Sequence, residues 1–326
     1  MKVLVTGGCG FIGSNFIEYL LTEKDVRIVN LDAQTYAGRG RNIQHMNLGR
    51  HPRYKFDRGN ISDRGLVERL FKKEKFDIVL NFAAESHVDR SISGAEDFIM
   101  SNVVGATTLY DAARKSGVKK FVQVSTDEVY GSKEKESFSE DSSLNPSSPY
   151  SASKAGADLI ALSYFKTHKF PVIITRSANN YGPYQFPEKF LPLSITNLID
   201  GKKVPLMYSQ ENPGLNVRDW LNVKDNCRAI WSVAQNGKEG EIYNIPGDNE
   251  RTNMEITKSL LDEFGFGKEM IKFVEHRKGH DFRYSISGDK LKNLGFEYKH
   301  LDLTKELEKT IRWYKENQDW WRPLKK

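Results

Sequence analysis

The stretch from Lys2 to Gly13, KVLVTGGCGFIG, decides the fold of this chain. Its first residues form an apolar run that predicts a buried strand over Lys2–Thr6, and a helical pattern begins at Phe11. The glycines between them allow a tight turn and let the backbone approach a pyrophosphate, whose charge is stabilised by the free N–H groups at the start of the helix. A glycine-rich turn placed between a strand and a helix therefore predicts a dinucleotide-binding site.

Beyond this turn, short apolar runs alternate with segments of helical periodicity. Near-continuous apolar strands separated by helices are typical of a parallel sheet covered on both faces. The sequence therefore predicts an α/β fold, a Rossmann-type doubly wound parallel sheet. Its predicted strands are Lys2–Thr6, Arg27–Asp32, Asp77–Phe82, Lys120–Ser125 and Pro171–Thr175, and its predicted helices are Phe11–Leu21, Arg64–Lys73, Ala95–Ser116 and Ser151–His168.

The composition changes after Arg176, where Pro, Asn, Gly and Tyr become frequent and the regular alternation lapses. Two later segments, Asp219–Val233 and Glu241–Ile245, again resemble a helix and a strand of the sheet. We therefore expect the chain to form a second, smaller lobe and to return to the first domain in between. The predicted boundaries are 1–175, with a return at about 219–245, for the dinucleotide-binding domain, and 176–218 with 246–326 for a smaller C-terminal substrate-binding lobe.

Composition and charge exclude several classes of protein. Of the 326 residues 38% are apolar and 11% aromatic, and the net charge is only +6, so the chain is not expected to be disordered. No apolar run approaches the length of a membrane span, and the N-terminus lacks the apolar core and the cleavage site of a signal peptide. Lys and Arg are interleaved with Asp and Glu, which argues against a nucleic-acid partner.

The chain has two cysteines, Cys9 and Cys227. They are too few and too far apart to form a disulfide framework or a zinc site, so we expect no metal. Cysteines of this kind are usual in a reducing compartment, and a cytoplasmic location is predicted.

Asp32 ends the second predicted strand, 19 residues after Gly13. A carboxylate at this place can accept hydrogen bonds from the hydroxyls of an adenosine ribose, and it would repel a 2′-phosphate. The sequence therefore predicts NAD rather than NADP as the cofactor. The alternative is an ordinary glycine-rich turn followed by an unrelated surface aspartate.

Tyr150 is the one tyrosine of the 14 that has a lysine four residues later, Lys154. At helical spacing the two side chains share a face, so we expect the ammonium to lower the pKa of the phenol and let Tyr150 act as a base on a hydroxyl. The pair alone is weak evidence, since such a spacing arises by chance. It follows a predicted strand that leads into Ser125 and Thr126, whose side chains would face the same crevice.

The glycine-rich turn, the strand end at Thr126 and the Tyr150–Lys154 pair together resemble the extended short-chain dehydrogenase/reductase family. Further motifs resemble the nucleotide-sugar 4,6-dehydratases within it, over essentially the whole chain. This resemblance implies that the tyrosine takes the proton of a sugar hydroxyl while NAD takes a hydride from the same carbon. The motifs are FAAESHVDRS (82–91), STDEVYG (125–131), NNYGPY (179–184), PEK (187–189) and NVRDW (216–220).

The adjacent carboxyl groups of Asp127 and Glu128 favour a dehydratase over an epimerase of the same fold. An epimerase only removes and returns a hydride, whereas loss of water between carbons 5 and 6 of a sugar needs a base for the carbon-bound proton and an acid for the departing hydroxyl. The resemblance assigns Glu128 as the base and Asp127 as the acid. Two carboxyl groups in one pocket repel, which predicts a protonated acid near neutral pH. The alternative is that the pair only caps the loop after the strand.

The resemblance also implies which side chains surround the ligands. The implied catalytic residues are Thr126, Asp127, Glu128, Tyr150 and Lys154. Those implied around NAD are Gly7, Gly10, Phe11, Ile12, Gly13, Asp32, Thr35, Asn60, Ile61, Phe82, Ala83, Ala84, Ser101, Tyr150, Lys154 and Asn180. Those implied around the nucleotide sugar are Ser86, Thr126, Asn179, Lys189, Phe190, Pro205, Met207, Arg218, Asn253, Arg277 and His280.

Two segments depart from the family pattern. Residues 205–218, PLMYSQENPGLNVR, form a longer segment than the turn that contacts the base in the family, so the choice among thymine, uracil and other bases stays open. Gly59-Asn60-Ile61 stands where the family has Asp-Ile against the adenine, although Asn60 can still offer a hydrogen bond.

The leading hypothesis is the conversion of dTDP-glucose to dTDP-4-keto-6-deoxyglucose and water by an enzyme that retains NAD. The alternatives are the same reaction on UDP-glucose or another nucleotide sugar, an epimerase or decarboxylase on this scaffold, and an inactive sugar-nucleotide sensor. The resemblance further implies a homodimer in which the helices at Ala95–Ser116 and Ser151–His168 pair across the axis.

Overall fold

A computed structural model describes residues 1–38, 40–208, 214–276 and 279–325 of the chain. The strands in these ranges are β1 (Lys2–Thr6), β2 (Arg27–Asp32), β3 (Tyr54–Arg58), β4 (Ile78–Asn81), β5 (Lys120–Thr126), β6 (Val172–Ser177), β7 (Asn179–Tyr181), β8 (Val204–Tyr208), β9 (Val217–Asn222), β10 (Ile242–Ile245), β11 (Glu250–Thr252) and β12 (Ile271–Glu275). The α-helices are α1 (Phe11–Glu23), α2 (Arg41–His45), α3 (Arg64–Glu74), α4 (Val88–Ser93), α5 (Glu96–Phe98), α6 (Ala106–Lys115), α7 (Pro149–His168), α8 (Phe190–Ile199), α9 (Val223–Asn236), α10 (Asn253–Phe264), α11 (Asp289–Lys292), α12 (Leu303–Glu316) and α13 (Gln318–Trp321).

Seven of the described strands form one parallel sheet in the order β10-β6-β5-β4-β1-β2-β3. Apolar clusters cover both faces of this sheet, as expected for strands that are buried on each side. The order reverses between β1 and β4, and in such sheets the ligand lies in the crevice at the carboxyl ends of the strands beside that reversal. The doubly wound fold predicted from the sequence is confirmed.

The predicted strands match the structure closely, with β1 and β2 beginning and ending where the sequence indicated. The sequence did not indicate β3. Its residues YKFDR are half-buried or exposed, because β3 pairs only with β2 at the edge of the sheet. A partly exposed edge strand lacks the continuous apolar run by which the other strands are recognised.

Two helix predictions need correction. The segment predicted as one helix over Ala95–Ser116 contains a π-helical stretch at Ile99–Gly105 between α5 and α6. The segment predicted as a helix from Asp219 begins instead as strand β9, and α9 starts only at Val223, where the Asn222 side chain accepts a hydrogen bond from the Lys224 N–H at 2.9 Å. Residues 219–222 are buried between β7 and β11, so strand pairing overrides the helical pattern.

Helix α7 begins at a well-defined cap. The Ser148 side chain accepts from the N–H of Ser151, and the Ser151 hydroxyl accepts from the N–H of Ser148, each at 3.1 Å. Pro149 occupies the first turn, where its missing N–H costs nothing. The cap places Tyr150 in the first turn of the helix, directly beside the carboxyl end of β5.

The shorter sheets and the C-terminal helices pack around a separate apolar cluster that includes Trp220, Trp320 and Trp321. Strand β9 pairs with β7 and β11, and β8 pairs with β12. This part of the chain contacts the nucleotide crevice through Trp320, whose indole N–H donates to Asn42 Oδ1 at 3.0 Å. None of the described helices is long and apolar enough to cross a membrane.

Candidate active site

A cavity of about 580 Å³ lies at the carboxyl ends of the central strands. Most of the side chains that the sequence placed around NAD line its wall. They are Gly7, Gly10, Phe11, Ile12, Gly13, Asp32, Thr35, Asn60, Ile61, Phe82, Ala83, Ala84, Ser101, Tyr150 and Lys154. Asn180 stands apart from this wall and donates its side-chain N–H to the Ala178 carbonyl at 3.0 Å.

Two glycines of the glycine-rich turn lie directly against backbone, so a side chain at either place would clash. Without side chains the turn stays tight and its backbone can approach a ligand closely. Gly7 has φ +70°, and a Cβ there would lie 2.5 Å from the backbone nitrogen of Ala83. A Cβ on Gly13 would overlap the carbonyl oxygen of Gly7. Helix α1 starts after Gly10 with no side chain capping its first N–H groups. Those N–H groups point at the cavity end of the helix and form a site for an anion.

Asp32 ends β2 at the cavity wall and is held by two backbone donors. Its Oδ2 accepts from the N–H of Cys9 at 2.8 Å, and its Oδ1 accepts from the N–H of Gln34 at 2.6 Å. Burial raises the pKa of this carboxyl, and the two hydrogen bonds oppose the rise. The contacts fix the carboxylate where the hydroxyls of an adenosine ribose would lie.

Tyr150 and Lys154 lie one turn apart on α7, and both are buried at the floor of the cavity. The Lys154 Nζ donates to the Val124 carbonyl at 2.6 Å, and burial lowers the pKa of Lys154 to about 8. The Tyr150 hydroxyl is in hydrogen-bond contact with Thr126.

The expectation that Lys154 lowers the pKa of the phenol is wrong for these residues by themselves. Burial raises the pKa of Tyr150, and the carboxyl groups of Glu128 and Asp127 raise it further. Among these influences, only the hydrogen bond with Thr126 lowers the pKa of Tyr150. The spacing in the sequence indicates that Lys154 neighbours Tyr150, but it does not indicate that the phenol is buried. Burial has the larger effect on the pKa of Tyr150.

Asp127 and Glu128 follow β5 in a single 3₁₀ turn, two residues after Ser125, which lines the cavity; their own side chains are not part of the cavity wall as described. Asp127 is 3% exposed, and its Oδ2 is buried without a hydrogen-bond partner among the described residues. Burial raises the pKa of Asp127 well above its usual range, and the neighbouring Glu128 and Asp219 raise it further. This direction favours the protonated acid; burial is its largest cause, and the repulsion by Glu128 on which the sequence argument rested comes second.

The residues predicted to contact the sugar nucleotide lie on several elements around this turn. Ser86 and Lys189 line the cavity, and the Lys189 Nζ donates to the Ser86 carbonyl at 2.9 Å. Arg218 is 6% exposed on β9, and its guanidinium lies 4.3 Å from the ring centre of Tyr284. It also donates to the carbonyls of Val217, Asp281 and Phe282.

Other predicted substrate residues lie outside the cavity wall as described, on the smaller sheets, on helices α8 and α10 and, for His280, in a loop. Asn179 lies on β7 with its side-chain oxygen buried, and Phe190 packs 6.4 Å from Trp220. His280 pairs with His276 at 3.1 Å between their Nδ1 atoms. Pro205 and Met207 lie on β8, and Asn253 is the first residue of α10. Arg277 lies outside the described residues.

The sequence did not single out a cluster that crosses one side of the cavity. The Arg90 guanidinium lies 3.5 Å from the ring centre of Tyr36, and its Nη2 is 3.4 Å from Glu188 Oε2. The edge of the Phe186 ring packs on Tyr36, with their centres 5.7 Å apart. These side chains come from helix α4 and from two loops far from it in sequence, so no local spacing could have indicated their contact. Glu85 and Trp320 line the cavity as well.

Known proteins that are similar to this chain include nucleotide-sugar dehydratases. The family model described as GDP-mannose 4,6 dehydratase matches residues 4–308. The low-salt glycan biosynthesis protein Agl12 of Haloferax volcanii is 49% identical, over 91% of this chain and 93% of its own. The dTDP-glucose 4,6-dehydratase of Streptomyces antibioticus is 47% identical, over 100% of this chain and 96% of its own.

Among solved structures, DesIV, a dTDP-glucose 4,6-dehydratase of Streptomyces venezuelae, superposes with a TM-score of 0.95. It is 47% identical, the match covers 100% of both chains, and it was solved with NAD and dTDP bound. The parallel sheet, the glycine-rich turn and the Tyr150–Lys154 pair define an extended short-chain dehydrogenase/reductase. Within that class, the chain belongs to the GDP-mannose 4,6 dehydratase family, which confirms the resemblance seen in its motifs.

Proposed function

We propose that this protein is an NAD-dependent hydro-lyase that converts dTDP-glucose to dTDP-4-keto-6-deoxyglucose and water. The observation that carries the proposal is the pair of carboxyl groups in the turn after β5, where Asp127 is buried with an unpaired oxygen beside Glu128 and Tyr150. Relatives 47% and 44% identical over nearly the whole chain bear the name dTDP-glucose 4,6-dehydratase.

The cavity fits NAD. Gly7 and Gly13 pack against backbone where a Cβ would clash, which keeps the turn tight, the start of α1 offers uncapped N–H groups to a pyrophosphate, and Asp32 is held at the same cavity wall. NAD held there would supply the hydride acceptor for the oxidation at carbon 4 of the sugar and the hydride donor for the reduction at carbon 6. Lys154 and Tyr150 line the floor of the cavity. There Lys154 would orient the ribose of the cofactor, and Tyr150 would contact the sugar of the substrate.

The chain's own residues carry the protons of the reaction. Tyr150 takes the proton of the carbon 4 hydroxyl as the carbonyl forms, and that carbonyl makes the proton on carbon 5 acidic. Glu128 removes the carbon 5 proton, and Asp127 gives its proton to the carbon 6 hydroxyl, which leaves as water. Glu128 then returns its proton to carbon 5. Tyr150 has then gained one proton and Asp127 has lost one, so a proton passes from Tyr150 to Asp127, between which Thr126 lies, before the next turnover, and the net change is the loss of one water from the sugar.

The electrostatics of the site support this division of roles. A general acid must be protonated before the reaction, and the burial that raises the pKa of Asp127 favours its protonated form. The unpaired Oδ2 of Asp127 is a buried polar atom that a sugar hydroxyl would satisfy. An epimerase would gain nothing from such an acid, because it eliminates no water.

The nucleoside diphosphate is proposed to lie between Lys189 and Arg218. Arginine suits a diphosphate because its guanidinium donates parallel hydrogen bonds to phosphate oxygens. The further proposed contacts are Ser86, Thr126, Asn179, Phe190, Pro205, Met207, Asn253 and His280. Part of the segment 205–218 lies outside the described residues, so the experiment below compares two bases.

Two substrates are prepared with deuterium at carbon 4 of the glucose, dTDP-glucose and UDP-glucose. Purified protein is incubated with each of them separately, with no NAD added. We expect a product one water lighter by mass spectrometry, with the deuterium at carbon 6, and faster with the dTDP sugar. Glu128→Gln should abolish water loss while NAD stays bound. Accumulation of reduced cofactor equal to the substrate consumed, or a product of unchanged mass, would refute the dehydratase.

We also propose a homodimer in the cytoplasm with two lobes per chain, divided at the boundaries predicted from the sequence. Exposed apolar side chains cluster on the two helices expected at the dimer axis, which supports a buried partner face. They are Ile99, Met100 and Val104 on the first helix and Leu159 on the second, the last being 57% exposed. Both cysteines are free and buried, as is usual in a reducing compartment.

A further inference from the structure

Helix α7 carries three buried polar side chains at successive turns, Tyr150, Lys154 and Asp158. Residues four apart on a helix lie on one face, so Asp158 continues the row formed by the two catalytic residues. Asp158 is 0% exposed. The proposed reaction uses Tyr150 and Lys154 and gives Asp158 no task, although a buried carboxylate is costly to maintain.

Asp158 is fixed by side chains from the two neighbouring strands. Its Oδ2 accepts from Ser125 Oγ on β5 at 3.0 Å and from Arg176 Nε on β6 at 2.9 Å. Arg176 is itself 1% exposed and lies 4.7 Å over the ring of Tyr130. From α6, the phenol of Tyr110 faces the same carboxylate. Asp158 is therefore held in one place; burial raises the pKa of its carboxyl, and Arg176, Lys154 and Ser125 oppose that rise and favour the carboxylate.

We propose that Asp158 is a positioning residue of the reaction, whose fixed negative charge keeps the Lys154 side chain an ammonium directed at the Val124 carbonyl and the cavity. Arg176 and Ser125 act through Asp158 by holding its carboxylate. The inference rests on the proposed function, because the role of Lys154 in orienting the ribose is part of that proposal.

The charges around Lys154 explain why it needs such a neighbour. Burial lowers the pKa of Lys154 to about 8, and Asp158 is the group that opposes this fall. Without that charge, the lysine would lose its proton close to neutral pH. On the other side of the cavity floor, Glu128 and Asp127 raise the pKa of Tyr150, and Asp158 adds a smaller effect in the same direction.

Asp158→Asn tests the inference in two independent ways. In the holoenzyme, we expect the fall of kcat on the alkaline side to begin about one pH unit lower, as the loss of one opposite charge predicts. The loss of activity should thus be larger at high pH than at low pH. In nucleotide-free chains, competitive acetylation read by mass spectrometry should show Lys154 becoming reactive at a correspondingly lower pH.

Controls separate this role from a merely structural one. Asp158→Asn leaves Arg176 buried without its partner, so the double variant Asp158→Asn/Arg176→Met removes the pair together and should restore stability while keeping the shifted profile. Asp225→Asn is the matched control. Asp225 is a buried carboxylate paired with Arg228 at 2.6 Å on α9, and its loss should leave both pH profiles in place.

Unshifted kinetic and acetylation profiles in Asp158→Asn would overturn the inference, and so would a double variant with the wild-type profile. If the wild-type protein does not dehydrate dTDP-glucose, the proposed function fails. The acetylation measurement still decides whether Asp158 maintains the charge of Lys154.

Discussion

Replacing Lys154 by methionine should abolish activity and at the same time make the nucleotide-free protein more stable. Lys154 is 4% exposed, and burial lowers its pKa from 10.5 to about 8. Methionine has a similar length and no charge, so it fills the same space without the desolvated ammonium. The site therefore holds a charge that folding alone would not favour.

The size of the effect follows from the change in pKa. A pKa that falls from 10.5 to about 8 on folding corresponds to roughly 3 kcal/mol of unfolding free energy, at about 1.4 kcal/mol for each pKa unit. The variant also loses the 2.6 Å hydrogen bond from Lys154 to the Val124 carbonyl. This loss offsets about 1–2 kcal/mol of the gain in unfolding free energy. A net gain of about 1–2 kcal/mol is expected at pH 7.

The pH dependence gives this prediction its sign. The unfolded lysine binds its proton up to pH 10.5, whereas the folded lysine releases it near pH 8, so the stability of the wild-type protein rises between these two values. The gap between variant and wild type should be largest below pH 8 and should shrink as the pH approaches 10.5.

Urea unfolding at pH 7 and pH 9.5 measures both quantities, with the midpoint expected to rise at an unchanged slope. Lys120→Met is the matched control, because the Lys120 ammonium donates to the carbonyls of Gln235 and Gly237 outside the core. That variant should gain no stability. A Lys154→Met protein that is less stable at pH 7, or a gap that does not depend on pH, would refute the reasoning.

Three further predictions concern the acid, the nucleotide turn and the dimer. Asp127→Asn should lower kcat by about 10²–10⁴-fold with the NAD content unchanged, and a normal kcat would remove it as the acid. Gly7→Ala should purify with little NAD, measured by absorbance after denaturation, because its Cβ would lie 2.5 Å from the Ala83 nitrogen; full NAD content contradicts this. Leu159→Arg should sediment as a 37.3 kDa monomer, and an unchanged dimer mass would place the interface elsewhere.

The sequence was sufficient for those parts of the site that local pattern determines. The glycine turn, Asp32 and the Tyr150–Lys154 spacing each depend on a strand or helix that neighbours them in the chain, and the structure brings them to one cavity. The π-helical stretch at Ile99–Gly105 could not be predicted, because its hydrogen bonds change register without changing which residues are apolar. The contact of Tyr36 with Arg90 joins a loop to helix α4, 54 residues apart in the chain, which no local pattern indicates.

The direction of the Tyr150 pKa shows why spacing alone gives an incomplete account of chemistry. A lysine one turn away is a local fact, whereas the burial of the phenol and the approach of Glu128 and Asp127 depend on the whole fold. These effects raise the pKa of Tyr150, so the residues at rest hold the phenol protonated. Positive charge brought in with the ligands would lower the pKa of Tyr150 and favour its action as a base. A tyrosine that stays neutral until the cavity is filled can remove a proton only when the acceptor of the hydride is already in place.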